Sequence, residues 1–202
     1  GAIHVVVDST GLKVHGEGEW KVRQHGAGKR RTWRKVHLGV DEKAKDVIAV
    51  EVTTADWGDA EVFPELLAQV DAPVAQVSAD GAYDTKGSHA AIAQRQAKAA
   101  IPPRSGAKPW GGGHPRDAIL DEIAAQGEQE WKRSSGYHRR SISENMMYRL
   151  KQLLGDKLSS REFRRQVTEV HCRVSALNIM TYLGMPISER CGIGASETGV
   201  IA

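Results

Sequence analysis

Four side chains within the segment YHRRSISENMMYRLK could do chemistry together. Tyr137, Arg140, Glu144 and Lys151 stand at offsets 0, 3, 7 and 14. At roughly 100° per helical residue they fall within about 60° of one another. Ile142, Met146 and Leu153 fall on the opposite side, where a core-facing stripe belongs. One helix would thus present an acid flanked by two cations and a phenol. Such an acid can hold a divalent metal while its neighbours grip phosphate oxygens. The pattern suggests metal-dependent chemistry on nucleic acid. An Arg and a Glu at i, i+4 also form ordinary solvated pairs on helices, so further acids must decide between the two readings.

Two more carboxylates stand where apolar runs end. Residues 3–8 (IHVVVD) read as a buried strand closing on Asp8. Residues 74–79 (VAQVSA) read as another, followed by Asp80. If these strands are neighbours, the two acids meet at a sheet rim, and Glu144 can reach them from its helix. Three converging acids repel one another unless a cation neutralises them. Mg²⁺, with Mn²⁺ as substitute, suits such hard oxygen ligands, and two ions would serve attacking and leaving oxygens. Taken singly, Asp8 in Asp-Ser-Thr-Gly and Asp80 before Gly81 could also shape turns.

The elements that must place these groups follow from the pattern. Strands are expected at 34–40 and 47–53, joined by the turn DEKAKD, and at 99–102. Helices are expected at about 61–70 after an Asp59 cap, from Asp84 or Thr85 to about 97, at 116–131, at 138–155 and from Ser160 to Leu183. In the last of these Phe163, Val167, Val170, Val174, Leu177 and Met180 recur at helical spacing. Residues 9–34 look like a loop or long hairpin, and SGAKPWGGGHP like an exposed, mobile loop. The order implies an α/β fold, a mixed five-stranded sheet with helices on both faces, in which sites gather at strand ends.

The 202 residues suit one domain, expected at 1–186, with a disordered tail at 187–202. Net charge of +3 permits a nucleic-acid partner without requiring one. Lys21, Arg23, Lys29, Arg30, Arg31, Arg34 and Lys35, interleaved with Trp20 and Trp33, suit DNA phosphates and occasional stacking. No apolar run approaches the roughly 20 residues of a membrane span. Cys172 and Cys191 match no metal spacing, which implies a reduced, cytoplasmic protein, with Cys172 expected as a small core residue.

The spacing Tyr137-x2-Arg140-x3-Glu144-x6-Lys151 resembles the YREK signature of DDE transposases from bacterial insertion sequences. VVVDST and ADGAYDT resemble the segments holding that family's two aspartates, here Asp8 and Asp80. RRTWRKVHLGVDEK, IPPRSGAKPW and LNIMTYLGMP resemble its connecting segments. The likeness spans roughly residues 3–186. It implies a ribonuclease H-like fold with Asp8, Asp80 and Glu144 as catalytic metal ligands. It further implies in-line attack on a phosphodiester, first by water and later by a DNA 3′-hydroxyl. Arg140 and Lys151 would hold phosphates near the scissile bond, and Tyr137 would help place the transposon end. Paired ends imply a homodimer on DNA. Relatives carry a DNA-binding domain before the first strand, so the chain is expected to be a fragment, or the product of a second reading frame whose upstream-frame partner polypeptide carries that part. The 63 residues between Asp80 and Glu144 leave no room for the β-rich insertion of some relatives. Two alternatives stay open: a nuclease that cuts without joining, and a non-catalytic DNA-binding remnant.

Overall fold

The computed structural model describes residues 1–14 and 33–184. Arg30, Arg31 and most of the expected basic hairpin, Cys191 and the expected tail lie outside those residues. The chain forms a mixed sheet of strands β1 (Ile3–Val14), β2 (Trp33–Asp41), β3 (Val47–Thr54), β4 (Val74–Ser78), β5 (Lys98–Ala100) and β6 (Lys157–Leu158). The order is β3-β2-β1-β4-β5, with β6 pairing β1. β1, β2 and β3 pair antiparallel, β2 and β3 across the short link 42–46, while β4, β5 and β6 run parallel to their neighbours. This mixed topology is compatible with a ribonuclease H-like fold. The sheet has six strands rather than the expected five, because two residues at 157–158 pair with the end of β1. So short a strand carries no period that sequence could reveal.

Helices cover both faces. α1 (Asp59–Ala68) and α2 (Lys86–Gln94) cover one, and α5 (Ser141–Leu154) and α6 (Phe163–Leu183) the other. α3 (Pro115–Gln126) and α4 (Glu128–Ser134) lie between them in sequence. Alternation along the strands separates two cores. Leu12, Val36, Leu38 and Val40 pack against Met146, Met147 and Leu150 of α5 and Val170, Val174 and Leu177 of α6. Val5, Val7 and Val77 pack against Phe63, Leu66 and Leu67 of α1. Each such fully buried side chain contributes about 1.5–3 kcal/mol.

Several expectations need correction. β1 does not end at Asp8 but continues to Val14, because Asp8 to Lys13 stay in register with Leu38 to Trp33. Cross-strand pairing overrides the turn chemistry of Asp-Ser-Thr-Gly. Gly11 sits in that ladder where a Cβ would come within 3.2 Å of the Trp33 ring, so a close neighbour explains a glycine inside a strand. Gly58, not Asp59, caps α1, with Glu61 accepting from the Gly58 amide. The expected helix 116–131 breaks at Gly127, whose φ of 86° favours glycine. Leu153 is 54% exposed and Cys172 is exposed, so neither joins the core. Ser143, Met147 and Leu150 supply what the α5 stripe needed alongside Met146. Among the described residues no helix is long and apolar enough to cross a membrane.

Candidate active site

β1 and β4 are neighbours and parallel, with Val6 opposite Ser78. Continuing that register by two residues sets Asp8 beside Asp80. Asp8 points to the face covered by α5. Asp80 follows β4 and caps a one-turn 3₁₀ helix (Gly81–Tyr83), its Oδ1 accepting from the Ala82 amide at 2.8 Å.

The signature residues do not all lie on one α-helix. Tyr137–Arg140 form a 3₁₀ turn after Gly136, whose φ of 72° suits glycine, and α5 begins at Ser141. Residues three apart eclipse one another in a 3₁₀ turn, so Tyr137 still stacks with Arg140, the guanidinium lying 5.9 Å from the ring centroid. Two anchors fix this turn. Trp131 is buried and faces the Tyr137 ring at 6.2 Å. Gln76 on β4 donates to the Ser135 carbonyl at 2.9 Å.

Arg140 joins the acids. Its Nη1 donates to Asp8 Oδ2 at 2.9 Å and its Nη2 to Glu144 Oε1 at 2.5 Å. Asp8 and Arg140 are 132 residues apart in sequence. Asp8 Oδ1 accepts from the Ser9 amide at 2.8 Å. Burial lifts the Asp8 carboxyl above its ordinary value; the Ser9 amide and Arg140 oppose the shift, and Asp80 and Glu144 add to it. Arg140 holds its proton more tightly than usual: burial opposes this, but Tyr137, Asp8, Glu144 and Asp80 outweigh it. Burial, with a smaller push from Asp80, raises the Tyr137 phenol. Asp8 therefore feels both other acids, and Arg140 is shared between Asp8 and Glu144.

Hard carboxylate oxygens around one positive group are the donor chemistry of a Mg²⁺ site. Among the described residues no three His, Cys, Asp or Glu side chains are arranged to hold a metal ion. Instead Arg140 spans Asp8 and Glu144. Glu144 is 54% exposed at its side chain, so solvent reaches it beside the guanidinium.

The remaining expected contacts divide. Lys151 lies two turns beyond Glu144 on the same side of α5, about 10 Å along the axis, and has no ion-pair partner among the described residues. Arg34 and Lys35 are engaged internally. Arg34 donates to Gln166 at 2.7 Å and lies over the Phe163 ring. Lys35 meets Asp59 at 3.0 Å and donates to the Trp57 carbonyl at 2.8 Å.

Sequence reasoning missed a second charged cluster beside Asp80. Asp84, expected only as a helix cap, is buried and takes a two-pronged bond from Arg116, at 2.9 and 2.7 Å. His89 Nε2 lies 3.2 Å from Asp84 Oδ1, and the Arg104 amide donates to Oδ2 at 3.2 Å. Trp110 covers the Arg116 guanidinium at 4.5 Å and meets His114 edge-on. Asp117 accepts from the Trp110 and Gly111 amides at 2.8 and 2.7 Å. The Gly-rich segment is thus anchored, contrary to its composition. The cap that α2 needs comes from Thr85, which accepts from the Ser88 amide.

Residues 1–179 match the family described as the Transposase DDE domain. With that match over most of its length, the chain belongs to the DDE transposases.

Proposed function

We propose that this chain is the catalytic core of a YREK-branch insertion-sequence transposase. It would cleave a DNA strand at the element's end and join that end to a target by in-line phosphoryl transfer. The observation that carries this reading is the Arg140 bridge, which ties the acid of β1 to the acid of α5 next to the Asp80 turn.

Asp8, Asp80 and Glu144 would hold Mg²⁺, or Mn²⁺ in its place, through their hard carboxylate oxygens. The ions would supply Lewis-acid stabilisation of charge on the phosphate and the leaving oxygen. The chain's own groups do the rest. The Asp8 side chain is only 15% exposed, so a bound cation would offset the cost of keeping its charge away from water. Arg140, once released from Glu144, can pair with a phosphate oxygen through two parallel bonds. Lys151 extends that contact along the backbone as a point charge. Tyr137, with its raised phenol still protonated at neutral pH, can donate one hydrogen bond and offer a ring face near the transposon end. Two copies on paired ends would complete a working assembly.

The test uses the purified chain, a labelled end fragment and a supercoiled plasmid in Mg²⁺. Joined products are expected. Cut but unjoined fragments would instead indicate a nuclease, and DNA binding without any product a non-catalytic remnant.

A further inference from the structure

Asp80 sits on a turn of only three residues, and such a turn has little stiffness of its own. The chain that returns after β5 lies against it. A Cβ on Gly81 would come 3.3 Å from the Pro102 carbonyl. Two residues later Arg104 reaches back over the turn. Its Nε donates to the Gly81 carbonyl at 3.0 Å and its Nη2 to the Ala82 carbonyl at 2.8 Å. Its own amide donates to Asp84 Oδ2 at 3.2 Å. Asp84 is in turn locked by buried Arg116. The turn is therefore gripped at consecutive peptide groups, and its Ala82 amide is the one that orients the Asp80 carboxylate.

We infer that Arg104 is a positioning residue for Asp80: its guanidinium fork fixes the 81–82 peptides and so aims the carboxylate into the site. This rests on the reading of Asp80 as a catalytic acid. The fork matters more than the charge. A guanidinium can hold two carbonyls at once in a fixed plane, whereas an ammonium is a mobile point donor. The Arg104 side chain lies at the surface, where both of its carbonyl bonds are exposed, so its loss leaves the core intact.

The experiment compares Arg104→Ala, Arg104→Lys and Asp80→Asn in the full chain. Amide hydrogen exchange over residues 79–85 should quicken about tenfold in Arg104→Ala and in Arg104→Lys, with protection elsewhere and the melting temperature unchanged. The Mn²⁺ concentration for half-maximal strand joining should rise about tenfold in both, the usual scale for losing a partner that orients a metal ligand. Saturating Mn²⁺ should restore most of the rate. Wild-type exchange at 79–85 in Arg104→Ala would overturn the inference, as would full rescue by lysine. Activity in Asp80→Asn would instead overturn the reading of Asp80, while the exchange result would still report what Arg104 does to the turn.

Discussion

Replacing Arg116 with Met should unfold this protein more readily than almost any other single polar substitution. The guanidinium and the Asp84 carboxylate are 3% and 2% exposed at their side chains and meet at 2.7 Å. Methionine keeps much of the volume but strands a buried carboxylate. Removing one partner of such a pair costs about 3–5 kcal/mol. For a domain of this size each kcal/mol lowers the melting temperature by about 2–4 °C, so the expected fall is about 6–20 °C. Burial alone would raise the Asp84 carboxyl, but the bonds from Arg116, the Arg104 amide and His89 hold it below its ordinary value. A depressed acid contributes stability above its unfolded pKa and loses it as pH falls through the folded one. Wild type should therefore weaken as pH falls below about 4. In Arg116→Met burial prevails, and the same carboxyl should instead favour lower pH. Melting curves by circular dichroism between pH 3 and 8 give both effects. Asp84→Asn in the Arg116→Met background should recover at least half of the loss, since the stranded charge is gone. A loss below about 1 kcal/mol, or a double variant no better than the single, would refute the reasoning.

Asp8 gives the opposite sign. Its carboxyl is raised, chiefly by burial, so the folded chain binds that proton more tightly and stability falls as pH rises through the interval above the unfolded value. Asp8→Asn should thus melt at or above wild type at pH 7–8 in calorimetry while losing strand joining; a much lower melting temperature would mark Asp8 as structural. Lys151→Ala should weaken DNA binding about equally for all sequences and reduce the slope of log K against log salt by about one, measured by fluorescence anisotropy from low to moderate salt. An unchanged slope would place Lys151 away from the phosphates.

Much of this arrangement was legible because it follows from repeated signals. Val-rich runs placed β1 and β4, and the spacing from Tyr137 to Lys151 placed the cations around Glu144. The adjacency of β1 and β4, which sets Asp8 beside Asp80, is not written in local pattern, because strand order is decided by pairing between distant segments. What stayed hidden depended on tertiary partners. Asp8 and Ser9 look like turn residues until β2 pairs with them. Asp84 looks like a cap until Arg116, 32 residues away, reaches it. The segment before His114 reads as loose because its glycines are visible and the Asp117 carboxylate that binds its amides is not. Arg34 and Lys35 read as free cations because Gln166 and Asp59 come from other elements.

The most direct measurement replaces the divalent ion with Fe²⁺ and triggers local backbone cleavage with ascorbate and peroxide. Hydroxyl radicals act only within a short reach of the iron. Fragments ending near residues 8, 80 and 144 should appear together, vanish with excess Mg²⁺, and weaken together in Asp80→Asn. Cuts near a single one of these positions, or cuts indifferent to Mg²⁺, would contradict a shared site.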